Sequence, residues 1–347
     1  MLKQKAGLLG WVSTLAVAAL VAGCGSNAGT GTADNAAGGN TTGNATSDAG
    51  GAPEVKSVTI GYLPNIVMPQ PLLGINNGEF AKAVSGVTFA GKDFPAGPAV
   101  LEALRAGTVD IAYTGPYPPV KAYAKDKDVV MLAGTGAGGT QLMVAKDSTY
   151  KTVKDLKGKI IGVNQLGSTV DALVRYNVIQ AGLTPNKDVK IIEVAPAEQA
   201  EVLKGGEVAA VAAPAPWPSV VEINGNGRAL LDWKQILDDG NYLQGVVFTT
   251  KKFADANPNF VRQFVAAHKA ITDRLNKDRT KGDAEVLAAW SKITKKKMEP
   301  EVAKVAFKTI TYTNAADQKL FERDMDIAVQ TGILKKKGDL TGFVYGG

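Results

Sequence analysis

Two kinds of apolar pattern alternate along this chain and outline its fold. Short, mostly apolar or β-branched runs read as buried strands. They are SVTIGYL (57–63), GVTFAGKDF (86–94), VDIAYTG (109–115), KIIGVN (159–164), VKIIEV (189–194) and VAAVAA (208–213). Between them, apolar residues recur at three and four, which predicts helices over 71–84, 98–106, 169–181 and 197–204. Mid-strand positions Ile60, Phe89 and Ile111 are spaced by 29 and 22 residues, and Ile161, Ile191 and Val211 by 30 and 20. The same βαβαβ wiring therefore occurs twice, and strands alternating with helices predict parallel sheets. TQLMVAK (140–146) reads as the strand leaving the first unit and LQGVVFTT (243–250) as the strand returning to it. Two crossings of this kind make a hinge, expected near residues 140–144 and 245–249. The last third is helical, over 257–275, 283–295, 300–310 and 315–332, with periodicity that indicates packing rather than chemistry.

The segment Asp93–Pro119, DFPAGPAVLEALRAGTVDIAYTGPYPP, carries the densest signal. Gly97-Pro98 opens a helix, Gly107 ends it, and a strand then stops at Gly115-Pro116. In open α/β sheets ligands bind just beyond such strand ends. This segment resembles the first-lobe segment of the sulfonate/nitrate/taurine family of ABC-transporter substrate-binding proteins, the aliphatic-sulfonate binders above all. The resemblance is strong over 58–239 and looser beyond. It implies an α/β protein with the periplasmic-binding-protein type II fold: two lobes, a central cleft and two hinge crossovers. The expected domains are 55–141 with 246–347 for one lobe and 142–245 for the other.

If both lobes obey the strand-end rule, the turns 63–68, 114–117, 165–169 and 214–217 meet at one cleft, with 134–140 adding backbone donors. Ser168 is a good N-cap with Asp171 three residues on. Gly167 permits close backbone approach, and the first-turn N–H groups through Thr169 suit an anion. Thr114, Gly115 and Tyr117 face them with a hydroxyl, an N–H and a ring. Pro64-Asn65 follows the first strand, and Trp217 is a candidate wall. The resemblance implies that neutral donors of this kind hold a sulfonate or nitrate. Many relatives carry an acidic residue just before the Pro-Trp pair, where this chain has Ala215. A carboxylate could pair with an ammonium group, so its absence argues against an amino-sulfonate.

The N-terminus adds a location. Lys3 and Lys5 precede an apolar run over 8–22 that is too short for a membrane span, followed by Val21-Ala22-Gly23-Cys24. Residues 1–23 thus read as a lipoprotein signal peptide and Cys24, the only cysteine, as the lipidated residue. No disulfide is possible. Residues 24–54 are rich in Gly, Ala, Asn, Thr and Ser and read as a disordered tether spanning ~30 Å. The expected partners are a small sulfonate-like anion and a membrane permease with its ATPase.

Charge and the remaining motifs narrow the function further. The formal charge is +6, but the cations are scattered and not interleaved with aromatics, which excludes a nucleic-acid surface. Lys295–Lys297 reads as a solvated helix end. Gly134–Gly139 matches G-x-G-x-x-G but runs into another strand where a dinucleotide fingerprint needs a helix. His268, the only histidine, reads as a packed structural residue. No Ser-His or Cys-His pair and no His/Cys cluster can be assembled, so neither an enzyme, a cofactor nor a metal is expected. Asp238-Asp239 reads as a loop charge pair. A monomeric receptor for an ABC importer is the expectation. Alternatives are a nitrate, bicarbonate or thiamine-precursor pyrimidine receptor, a sensor, and a pyrimidine-synthase-like enzyme.

Overall fold

The computed structural model describes residues 51–346. The leader, Cys24 and the tether up to residue 50 lie outside them. Eleven strands form among the described residues. The first four are β1 (Ser57–Tyr62), β2 (Thr88–Asp93), β3 (Ile111–Thr114) and β4 (Val129–Gly138). The chain then crosses to β5 (Gln141–Ala145), β6 (Ile160–Val163), β7 (Lys190–Glu193), β8 (Ala210–Ala213) and β9 (Gly227–Leu231). It returns as β10 (Leu243–Thr250) and ends in β11 (Ile310–Tyr312). The first sheet has the order β11-β4-β10-β3-β1-β2 and the second β7-β6-β8-β5-β9.

The duplicated wiring is visible in the register. Ile60 pairs with Ile111 in parallel, and Ile161 pairs with Ala210 in the same manner. Each βαβαβ unit is flanked by a strand from a crossing segment, β10 beside β3 and β5 beside β8, and both run antiparallel. The sheets are therefore mixed, not parallel throughout. A chain that leaves one lobe and comes back must traverse it in the opposite direction.

Helices cover both faces of each sheet, which makes every central strand buried and apolar. In the first lobe, α1 (Pro69–Asn76), α2 (Glu79–Ala83), α3 (Gly97–Arg105) and α4 (Tyr117–Asp126) follow the strands. In the second lobe come α5 (Thr169–Gln180), α6 (Gln199–Lys204), α7 (Trp217–Ile223) and α8 (Trp233–Ile236). The last third contributes α9 (Lys251–Ala256), α10 (Pro258–Lys277), α11 (Arg279–Thr294), α12 (Pro300–Phe307) and α13 (Gln318–Gln330). Phe260 and Phe264 of α10 pack with Phe80 and Phe89 on one face of the first sheet. Phe321 and Met325 of α13 pack with α3 and α4 on the other. Two expected helices are shorter than the periodicity suggested. The one over 71–84 breaks at Gly78, which is left-handed (φ 67°). The one over 300–310 stops at Phe307, because Ile310 and Tyr312 extend the sheet edge beside β4.

The crossings are stitched together. Gly138 and Gly139 both have positive φ (76° and 83°), which turns the chain out of β4 into β5. There Thr140 Oγ1 donates to Gln244 Oε1 at 2.6 Å, and the Thr140 N–H donates to the Tyr242 hydroxyl at 3.1 Å. The tether meets the domain at its last residues. The Glu54 carboxylate accepts the Asn259 and Phe260 N–H groups, both at 3.0 Å, and so caps α10, whose own N-cap Asn257 turns its amide back to the Phe253 carbonyl and makes no capping bond.

His268 is fully buried on α10. Its Nε2 lies 2.8 Å from the Gly134 carbonyl, so Nε2 carries the proton and Nδ1 accepts from the Tyr113 hydroxyl at 2.9 Å. Burial pulls its pKa down to about 4. The residue ties α10 to β3 and β4, the structural role expected of it. Strand β5 follows the glycine-rich run directly, as the rejection of dinucleotide binding required.

Candidate functional site: the cleft between the lobes

A cavity of about 190 Å³ lies between the two lobes. The turns that line it begin at the C-terminal ends of five strands. Leu63, Pro64 and Asn65 follow β1, and Phe94 and Pro95 follow β2. Across from them, Asn164 follows β6, Ala195–Ala197 follows β7, and Pro214 with Trp217 follows β8. This is the strand-end geometry of α/β binding sites, reached from both sides at once. The walls are largely apolar, and two carboxamides interrupt them. Asn65 is only 4% exposed, and its Oδ1 accepts the Val67 N–H at 3.1 Å. Asn164 Oδ1 accepts the Ser168 hydroxyl at 3.0 Å. In both residues the carbonyl oxygen is occupied by protein, which directs the amide N–H₂ to other partners.

One further lining residue comes from the last third. Lys296 Nζ lies 5.5 Å from the centre of the Trp217 ring, at the cavity's edge. Lys295–Lys297 are exposed just past the end of α11, as expected of a solvated helix end, and Lys296 in addition borders the cavity. Lys295 adopts a left-handed conformation (φ 56°) that ends α11 and turns the next residue toward the cleft. Trp290 of the same helix donates its indole N–H to the Pro64 carbonyl at 3.0 Å and fixes α11 against the first cleft turn. No acidic residue lines the cavity.

The remaining expected residues gather beside the cavity as a seam between the lobes. Thr114, Tyr117, Ser168 and Thr169 are all below 5% exposed. The Tyr117 N–H points at Thr169 Oγ1, 3.4 Å away, and a Cβ on Gly115 would collide with that same hydroxyl. The Thr114 hydroxyl is buried with no partner among the described residues. Burial, then the nearby Asp324, pushes the Tyr117 phenol well above its usual range.

The loop before α5 spends several of its donors internally. Ser168 caps the helix by accepting the Asp171 N–H at 3.3 Å. The Gly167 N–H goes to the Asp171 carboxylate at 2.8 Å, and the Leu166 N–H to Glu193 at 2.9 Å. Burial raises the Asp171 pKa, and the Gly167 N–H and Arg175 pull it back. Gly167 itself has φ 76° and lies beside α3 and α4, outside the cavity. Ala215 is 1% exposed and packs into the first lobe's core instead of facing the cavity. The stretch 134–140 is used in β4 and the crossing and does not line the cavity either.

Phe94, Pro95, Asn164, Ala195–Ala197 and Lys296 were not among the expected residues. The strand-end rule applied to β2, β6 and β7 would have found all but the last. Lys296 has no such signal, since only the left-handed residue before it brings it to the cleft.

Comparison with known proteins agrees with this architecture. A protein of Escherichia coli (strain K12) named for aliphatic sulfonate binding is 28% identical over 250 residues, covering 72% of this chain and 76% of its own. The alkanesulfonate-binding protein SsuA of Xanthomonas axonopodis pv. citri, solved bound to MOPS, superposes with a TM-score of 0.71 at 23% identity, over 85% of this chain and 99% of that one. The periplasmic nitrate-binding protein NrtA of Synechocystis PCC 6803 gives 0.68 at 17%, over 82% and 83%. These relatives are binding proteins, and the two structures share this two-lobe fold. The family model described as the NMT1-like family matches residues 51–291, and the chain belongs to that family.

Proposed function

We propose that the chain is the lipid-anchored, extracytoplasmic solute-binding component of an ABC importer, and that it closes its lobes on a small organic anion, an aliphatic sulfonate. The closed form is what a membrane permease with its ATPase would receive. The observation that carries this reading is the inter-lobe cavity: apolar walls, two free amide groups and no carboxylate, at the strand ends of both sheets. Such a site offers donors to an oxyanion and a surface to an alkyl chain, and no carboxylate to an ammonium group. Nitrate would leave the apolar walls uncovered. Pro64, Asn65 and Trp217 touch the ligand in this reading. Thr114, Gly115, Tyr117, Ser168 and Thr169 form the seam that parts on opening, and Gly167 sets the turn beside it.

A thermal-shift screen followed by titration calorimetry tests the reading, with butane-1-sulfonate, taurine, nitrate and a hydroxymethylpyrimidine as probes. Butane-1-sulfonate at ~100 times its Kd should add ~2.7 kcal/mol of stability. Binding of the pyrimidine or nitrate in preference to every sulfonate would overturn the ligand assignment.

A further inference from the structure

We propose that Lys296 is the charge-selecting residue of the cleft. It would take the anionic head of the ligand and turn away molecules that carry an ammonium group. This rests on the cleft being the ligand site, as proposed above.

Lys296 is the one ionisable side chain among the cavity-lining residues. Lys296 is exposed at the mouth of the cavity with its ammonium over the Trp217 ring, and no ion pair joins it to a carboxylate among the described residues. An ammonium group over an indole keeps part of its charge unneutralised, because the ring contributes only a quadrupole. An arriving oxyanion can therefore pair with it without first displacing a protein carboxylate. The flanking amides of Asn65 and Asn164 can share the same head group, since their oxygens are already engaged within the protein.

The position of Lys296 is built rather than incidental. Its N–H donates to Thr294 Oγ1 at 3.3 Å, and that hydroxyl donates to the Trp290 carbonyl at 2.9 Å. Trp290 is in turn bonded to Pro64 in the first cleft turn. Met298, two residues on, is buried in the first lobe's core. The lysine is thus carried by the first lobe while its charge sits over a ring of the second. An anion bound beside it would be held by both lobes, and its charge would favour the closed form. The same ammonium repels a ligand ammonium, and no carboxylate in the cavity compensates. Selection against amino-sulfonates then comes from Lys296, and not from Ala215, which faces away from the cavity.

Titration calorimetry with butane-1-sulfonate and with taurine, on the parent chain and on Lys296→Met and Lys296→Arg, tests the assignment. Lys296→Met should weaken butane-1-sulfonate by about tenfold to a hundredfold, the scale of a charged hydrogen bond. It should also narrow the preference for butane-1-sulfonate over taurine. Lys296→Arg should stay within about fivefold of the parent, since the charge is kept. A Lys296→Met chain that binds butane-1-sulfonate within about twofold of the parent, with unchanged preference over taurine, overturns the role of Lys296 while leaving the cleft reading intact. A parent chain that binds neither sulfonate overturns both.

Discussion

His268 and Asp324 are buried ionisable side chains displaced from their usual pKa in opposite senses. Burial lowers His268 from 6.5 to about 4, so the unfolded chain binds the extra proton between those values. Its contribution to stability therefore falls as pH drops from 6.5 toward 4. Burial raises Asp324 from 3.8 to about 7, with Arg323 and the Tyr117 hydroxyl pulling it partly back. Here the native state holds the extra proton, so stability falls as pH rises from 3.8 toward 7. Over the shared window the two slopes oppose each other. Asp324→Asn should leave the His268 slope unopposed, and its urea midpoint should climb more steeply between pH 4 and 6.5 than the parent's. Parallel profiles for the two proteins would show that Asp324 is already ionised in the native state. Of these residues, His268 was legible in the sequence as an apolar-face histidine on a helix. Asp324 was not, because its burial depends on α13 packing against α4, a contact that periodicity does not specify.

Ser168 acts at the scale of the element. It is the N-cap of α5 and also the donor that orients Asn164 toward the cavity. Ser168→Ala should cost ~1 kcal/mol of stability through the lost cap, measured as a lower urea midpoint, and Ser168→Thr should restore most of it. If the Ala variant unfolds at the parent's midpoint, water is satisfying the Asp171 N–H and the cap carries little. The cap was readable from Ser-x-x-Asp in the sequence. The turn's engagement of Asp171 and Glu193 was not, since it depends on side chains folding back onto their own loop and onto β7. The strand-helix-strand units were legible because most strands are short apolar runs and several helices begin or end at Pro, Gly or a capping Ser. The antiparallel crossings and the edge strand β11 were not, because strand direction is set by where the chain comes from and not by local pattern.

At the scale of the whole molecule, the proposed anchor is a matter of the N-terminal sequence. Cys24 lies outside the described residues, and among those residues no helix is long and apolar enough to cross a membrane. In the lipoprotein reading proposed above, acyl chains at Cys24 make the attachment. Cys24→Ser should move the protein from the membrane pellet to the soluble fraction, and a variant that still pellets like the parent would refute lipidation at that residue.

The central place of β10 in the first sheet has a consequence for how the molecule is made. The second lobe's strands are contiguous in the chain, from β5 to β9, and can pair as soon as they are available. The first lobe cannot. Its β3 and β4 are separated by β10, which follows β4 by about a hundred residues, and the intervening lobe must be spanned before the gap is closed. Loop closure over that distance precedes the reward of pairing, so the first lobe should form late and slowly. A sheet whose middle strand arrives so late stays open at its centre through most of synthesis, so the N-terminal half of the chain waits for the return of β10 before it can finish folding.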